Sequence, residues 1–242
     1  MNAPARINPY LAGNFAPVRS EDDFAELPLT GKFPAALSGT FYRNGPNPQF
    51  EPRDAHHWFA GDGMIHAFTL AGGRASYRNR YVRTPKWTLE HEAGGALFGT
   101  FGNPMTGDPS VHGKDSGVAN TNIVWHAGKL LALEEGHQPF AIDPRTLAPE
   151  GYVPYAGAAH RFTAHPKTDP ETGELVFFGY MAGDGFFSNK VAYGTVDRSG
   201  TVTRLDTFEA PFTSMIHDFF VTRNHVAFPV LPLTGSLERV MQ

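Results

Sequence analysis

The sequence contains no cysteine among its 242 residues. Disulfide scaffolds, thiolate-ligated zinc, iron–sulfur clusters and a cysteine nucleophile are therefore excluded. Any metal ion must be held by histidine, aspartate or glutamate side chains, and the chain offers 11 histidines for that purpose.

The sequence also lacks a strong charge of either sign and a long apolar run. Its 20 Lys and Arg nearly balance 24 Asp and Glu, with no long block of like charge. That balance offers no basic surface for a phosphate backbone, so we expect no nucleic-acid partner. No stretch approaches the roughly 20 apolar residues of a membrane span, and the N-terminus lacks a charged region followed by an apolar one. These features predict a soluble cytoplasmic protein.

Glycine and proline are abundant, and short alternating apolar runs separated by Gly, Asn or Asp turns recur along the chain. With 26 Gly and 20 Pro, a mostly helical protein is not expected. The turn residues tolerate positive φ, and β-branched and aromatic residues suit a pleated surface, so the pattern predicts successive β-hairpins. Six such segments predict an antiparallel all-β protein: 64–82, 122–135, 140–154, 164–180, 190–209 and 215–233.

Turns that begin with an aspartate favour a β-propeller over the alternative, a β-sandwich. They start at Asp143, Asp169 and Asp197, at similar intervals, as the outer hairpins of successive blades would. We expect a single propeller segment over residues 1–242, with no linker. The glycine-rich stretch 92–119 is expected to be a functional loop. The best helix candidate follows Ser236, which could cap it.

The histidines form no local metal motif of the HExxH, HxH or HxxxH type, and no GxSxG, P-loop or GxGxxG sequence occurs. Any metal-binding histidines must therefore come from separate strands. His165 precedes one predicted hairpin and His217 begins an apolar strand 52 residues later. From spacing alone, the simpler interpretations stay open: a turn residue before Pro166, and a core histidine bonded to Asp218.

Several motifs, in order along the chain, resemble the carotenoid cleavage oxygenase family, which includes bacterial stilbene-cleaving dioxygenases. They are NPYLAGNFAPV, LPLTGKFPAALSGTFYRNGPNPQF, HWFAGDGMIHAF, GVANTNIVWHAGKLLALEEG, AHPKTDPETGE and MIHDFFVT. The resemblance implies part of a seven-bladed β-propeller with Fe(II) held by four histidines. It implies His165 and His217 as two of the metal ligands and catalytic residues, and Glu135 as the carboxylate that hydrogen-bonds a ligand imidazole.

The resemblance also implies oxidative scission of a conjugated C=C bond by O₂ into two carbonyl fragments. Phe59 and Phe101 are candidates for the wall of a substrate tunnel, although ordinary core packing is nearly as good an interpretation. Stilbene-cleaving members place a Tyr and a Lys against the substrate phenol, where this chain has Phe101 and Glu134. That difference favours an apocarotenoid or another apolar alkene. A stilbene remains the alternative, because KW and the FGxxxNPMTGD-like segment look most like that group.

Two further expectations follow from the resemblance. Leu97 and Phe98 are candidates for an apolar entrance patch in peripheral contact with a membrane, or else for a buried loop anchor. Family members continue past the position of Gln242 to two more iron-binding histidines, so a missing C-terminal half or a second chain is expected to complete the iron site. A catalytically inactive binding or assembly module is the second hypothesis, and a metal hydrolase a weaker third.

Overall fold

The structure is a computed structural model that describes residues 8–53, 56–99, 101, 103–155, 157, 161–183, 185, 187–236 and 238–239. The chain divides into two compact units, which we describe separately. The first comprises Met1–Thr121 with Arg145–Pro149, and the second comprises Asn122–Pro144 with Glu150–Gln242. Among the described residues, no helix is long and apolar enough to cross a bilayer.

The first unit contains a four-stranded antiparallel sheet in the order β1-β4-β3-β2. Its strands are β1 (Asp23–Phe24), β2 (Gly39–Pro46), β3 (Gly63–Ala71) and β4 (Arg74–Tyr81). The central hairpin pairs Met64 with Tyr81 and ends in a turn at Gly72 and Gly73, which both have positive φ. Short 3-10 helices at Pro9–Leu11, Gly13–Phe15, Trp58–Ala60, Pro104–Thr106 and Pro109–Val111 connect the regular elements.

A second four-stranded sheet has the order β5-β6-β7-β8, and a third has the order β12-β11-β10-β9. The strands of the second are β5 (Asn122–His126), β6 (Lys129–Leu133), β7 (Phe140–Ile142) and β8 (Pro149–Tyr152). Those of the third are β9 (Lys167–Thr168), β10 (Leu175–Tyr180), β11 (Lys190–Val196) and β12 (Val202–Glu209). A two-stranded sheet follows, formed by β13 (Phe220–Val221) and β14 (Val226–Ala227). Successive four-stranded antiparallel sheets are the repeating unit of a β-propeller.

The six predicted hairpins are confirmed, because each predicted segment contains two consecutive strands that are neighbours in one sheet. The turn chemistry explains why. Ala127 and Gly128 both have positive φ, as a two-residue turn between β5 and β6 requires. The described residues between 94 and 119 contain no strand, in agreement with the loop predicted over 92–119, although Glu92 and Ala93 belong to a helix instead.

One α-helix was not predicted: α1 (Pro85–Ala93). The Thr84 side chain accepts a hydrogen bond from the Trp87 backbone N–H, Pro85 occupies the first turn, and Gly94 ends the helix with φ +70°. These are standard start and stop signals, so the sequence TPKWTLEHEAG could have revealed it. The helix expected after Ser236 falls largely outside the described residues.

The core of the second unit consists of two apolar clusters. One surrounds Phe162 and Phe177, whose rings stack with centroids 4.7 Å apart. The other surrounds Phe178 and includes Ile216 and Phe219. Because neighbouring side chains on β10 point to opposite sheet faces, this one strand contributes to both clusters. The second cluster fixes the backbone on both sides of His217.

The segment that carries His165 runs close along β10. The Thr163 backbone N–H donates to the Phe178 carbonyl at 2.7 Å. A Cβ at Gly179 would stand 2.4 Å from the Arg161 carbonyl oxygen, so only glycine permits this approach. Strand β10 therefore holds the backbone that leads to His165 and packs against the residues on either side of His217.

Candidate metal centre

Two irregular segments of the second unit bring His165 and His217 together. The His165 backbone N–H donates to the Thr163 hydroxyl at 3.0 Å, and the preceding Ala164 carbonyl accepts from the Asn122 amide at 2.8 Å. His217 follows Ile216, which is 1% exposed in the second apolar cluster. Both backbones are thus held by buried neighbours.

The two imidazole rings face one another through the same ring atom. His165 Nε2 lies 3.1 Å from His217 Nε2, and the ring planes meet at 68°. Two nitrogens bound to one metal ion at right angles, each about 2.1 Å away, would be about 3 Å apart. The observed separation fits two neighbouring ligands of a single metal ion.

Glu135 completes the cluster from the loop after β6. Its Oε1 accepts a hydrogen bond from His217 Nδ1, and its Oε2 accepts from the Tyr180 hydroxyl at 2.7 Å. A carboxylate on Nδ1 keeps the proton there and leaves the Nε2 lone pair free for a metal ion. Among the described residues, Glu135, His165 and His217 are the one group of three whose possible ligand atoms lie within 4.8 Å of one another.

Burial and neighbouring charges tune the protonation of these groups. Burial lowers the pKa of His165 below its ordinary value, and the adjacent His217 lowers it further. Burial and the Glu135 carboxylate raise the pKa of Tyr180, so its hydroxyl stays protonated and donates. A neutral His165 can offer its Nε2 lone pair to a metal ion. A protonated Tyr180 can donate its hydrogen bond to Glu135.

The residues present fit a metal ion held by imidazole. The two Nε2 atoms lie 3.1 Å apart, the Nδ1 of one ring is bonded to a carboxylate, and the donor set is nitrogen-rich. Imidazole suits iron, zinc, copper and nickel alike, so the donor set by itself does not select among these metals.

The predicted substrate residues are divided between the two units. Phe59 and Phe101 belong to the first unit, where their ring centroids are 5.7 Å apart and both are more than half exposed. Phe101 stacks on the His57 ring, and Phe59 meets that ring edge-on. They therefore do not form core packing in that unit. Glu134, in the second unit, has Oε1 2.6 Å from His137 Nδ1. Their role in binding a substrate stays a prediction.

Leu97 and Phe98, the candidate membrane contacts, are half-buried in the first unit. Their backbone N–H groups donate to Glu90 Oε1 at 2.9 and 3.0 Å. The two residues are therefore anchored to helix α1, whatever else their side chains contact.

Sequence reasoning missed Tyr180, the second partner of Glu135. The signal available was a tyrosine at the end of the otherwise apolar strand LVFFGY. A tyrosine in such a place keeps its ring in the core and usually finds a partner for its hydroxyl. The identity of that partner was not readable from the sequence.

The chain is similar to several known oxygenases over nearly its whole length. It is 44% identical over 241 residues to isoeugenol monooxygenase from Pseudomonas nitroreducens, covering 98% of this chain and 50% of that protein. It is 39% identical to lignostilbene-α,β-dioxygenase isozyme III from Sphingomonas paucimobilis, covering 95% and 47%. The chain thus spans about half the length of the curated relatives it matches.

Solved structures give the same result. The crystal structure of Pseudomonas brassicacearum lignostilbene dioxygenase matches with a TM-score of 0.91 and 37% identity, covering 98% of this chain and 50% of that one. A mutant of the Synechocystis apocarotenoid oxygenase matches with a TM-score of 0.72 and 28% identity, covering 88% and 47%. These matches confirm the predicted all-β propeller architecture. Because the family model for retinal pigment epithelial membrane protein also matches residues 15–242, the chain belongs to that family, the family of the carotenoid cleavage oxygenases.

Proposed function

We propose that this chain carries part of the active site of a non-haem iron(II)-dependent oxygenase, which cleaves a conjugated C=C bond into two carbonyl products. The observation that carries the proposal is the 3.1 Å separation of the two Nε2 atoms, with Glu135 on the far side of one ring. The names of the relatives support oxygenase chemistry on alkenes. Because the chain spans half of those relatives, the activity of the whole protein is part of the proposal.

In this proposal His165 and His217 hold the iron, and Glu135 supports them. Fe(II), when bound, would supply the electronic access that triplet O₂ lacks toward a closed-shell alkene. Glu135 accepts the Nδ1 proton of His217, which keeps the Nε2 lone pair available and adds electron density to the ring. Its negative charge also offsets the charge of a metal held by neutral imidazoles.

The substrate in this proposal is a conjugated alkene whose position along a tunnel selects the bond to be cut. Phe101 and Glu134 favour an apocarotenoid, since neither offers the phenol-binding groups of the stilbene-cleaving members. The isoeugenol and lignostilbene relatives favour an aryl alkene instead. Both classes therefore belong in the assay. No contact among the described residues favours an inactive binding module over an enzyme.

The test measures iron content and cleavage in the same preparations. We expect the protein to bind Fe(II) and, under O₂, to convert isoeugenol, a hydroxystilbene or an apocarotenal into two carbonyl products. His165→Ala and His217→Ala should each lose both properties. His225→Ala is the matched control, because this histidine lies in the β13–β14 turn and is exposed. Iron binding and activity that survive His165→Ala would overturn the ligand assignment.

A further inference from the structure

Tyr180 connects the apolar core of the second unit to the candidate metal centre. It is the last residue of β10 and pairs with Val191 on β11. Its ring packs against the apolar cluster that contains Phe178, Ile216 and Phe219. The same cluster therefore fixes both the Tyr180 ring and the backbone on either side of His217.

The Tyr180 hydroxyl and the His217 ring occupy different oxygens of one carboxylate. The hydroxyl donates to Glu135 Oε2 at 2.7 Å, while His217 Nδ1 bonds to Oε1. The Glu135 side chain is only 19% exposed, so water has limited access to replace either partner. A carboxylate bound at both oxygens by groups on separate segments has one favourable orientation.

We propose that Tyr180 is a positioning residue for the metal centre: its hydroxyl holds the Glu135 carboxylate in the orientation that fixes the tautomer and direction of the His217 imidazole. The inference rests on the proposed function, since it concerns the same centre. It adds Tyr180 to the residues of the centre, as a group that contacts neither the metal nor the substrate.

This arrangement lets the apolar core fix the orientation of the exposed His217 ring. The His217 side chain is 62% exposed, so packing alone does not hold it in one rotamer. Glu135 follows a strand of a different sheet and could rotate about its own side-chain bonds. The tyrosine ring is rigid and partly buried against the apolar cluster, so its hydroxyl has a fixed position from which to orient the carboxylate and, through it, the imidazole. Partners of this kind, outside the ligand set, change metal affinity when they are removed.

The first test uses the metal-free protein and NMR of the histidine side chains. Tyr180→Phe removes the hydroxyl and keeps the ring in the cluster. We expect the Nδ1–H proton of His217 to exchange faster with water and the Nε2–H tautomer to gain population. Tyr193→Phe is the matched control, because Tyr193 packs against the same cluster and its ring lies 5.2 Å from Arg204. Unchanged His217 signals in Tyr180→Phe would overturn the proposal.

The second test measures the binding of Co(II) and Fe(II) by optical titration of wild type, Tyr180→Phe, Glu135→Gln and the double variant. We expect Tyr180→Phe to weaken binding about tenfold, the lower end of the effect of such partners. If the tyrosine acts through Glu135, the double variant should bind no more weakly than Glu135→Gln alone. Additive losses would show that Tyr180 acts by another route and would overturn the proposal.

The two tests separate this proposal from the proposed function. If the chain binds no iron and cleaves no alkene, the proposed function fails, yet the metal-free NMR measurement still decides whether Tyr180 orders His217. Conversely, a chain that binds iron equally well with Tyr180→Phe retains the function and loses the positioning role.

Discussion

Lys167 and Asp218 form an ion pair, with Nζ 2.7 Å from Oδ1, between the two segments that carry the candidate metal ligands. Lys167 is two residues beyond His165, and Asp218 directly follows His217. Asp218 also accepts a hydrogen bond from the Phe219 backbone, and Lys167 lies 5.6 Å from the centre of that ring. The pair therefore links two backbone segments that are not neighbours in any described sheet.

Loss of this ion pair should affect the metal site more than the fold. In Lys167→Met, we expect the free energy of unfolding to change by less than about 1 kcal/mol, because the pair is exposed. Co(II) affinity should fall up to about tenfold, since the two histidines lose a fixed separation. Arg204→Met is the matched control: Arg204 also pairs with an exposed aspartate and lies 5.2 Å from an aromatic ring. Equal Co(II) affinity in both variants would contradict the prediction.

The buried Lys86 should be essential for the stability of the first unit. Its Nζ lies 2.8 Å from Asp62 Oδ1 and 2.7 Å from Glu90 Oε2, and all three side chains are at most 10% exposed. Lys86→Met leaves two buried carboxylates without their cation. We therefore expect the free energy of unfolding, measured in urea, to fall by about 3–5 kcal/mol. Adding Asp62→Asn and Glu90→Gln should recover part of that loss. A free energy of unfolding of Lys86→Met within about 1 kcal/mol of the wild-type value would show that the cluster is not needed for stability.

The buried His126 should make the protein less stable in mild acid. Its Nε2–H donates a hydrogen bond to the Asp197 carbonyl at 2.9 Å, and the residue is 4% exposed. Burial lowers the pKa of His126 below 6.5, and the carbonyl only partly offsets this. The unfolded chain therefore takes up the proton first, and the free energy of unfolding falls as pH drops below 6.5.

Urea unfolding at several pH values between 7.5 and 5.5 checks this prediction. In His126→Gln, the number of protons taken up on unfolding should fall by up to about one. His225→Gln, at an exposed histidine, is the matched control. If the free energy of unfolding depends on pH with the same slope in His126→Gln and wild type, this histidine does not contribute to the pH dependence.

Gly63 should not tolerate a side chain. A Cβ there would stand 2.4 Å from the Ala119 carbonyl oxygen, and the Gly63 N–H donates to Val118 at 2.8 Å. Gly63→Ala must move this backbone contact. We therefore expect the free energy of unfolding, measured by heat or urea, to fall by about 1–3 kcal/mol. Gly95→Ala is the control, because no heavy atom lies within 4 Å of its Cβ position. Equal stability of the two variants would refute the close approach.

Much of the fold was predictable because strand and turn signals are local. Alternating apolar residues and turn residues such as Gly128 predicted six hairpins. These hairpins supply strands β3 to β14. Helix α1 was predictable in principle from Thr84, Pro85 and Gly94, but its short length and charged residues gave no apolar period to notice. The family motifs selected His165, His217 and Glu135 from among many candidates.

The sequence by itself determined which residues pair into hairpins, and which histidines and glutamate deserve attention. Only the tertiary structure decided that these groups meet, because Glu135 and His217 are 82 residues apart and His165 and His217 are 52 apart. Distances between such groups depend on how sheets pack through Phe178, Ile216 and their neighbours, and no local pattern encodes that packing. For the same reason the contact of Tyr180 with Glu135 was visible only once β10 and the loop after β6 were placed side by side.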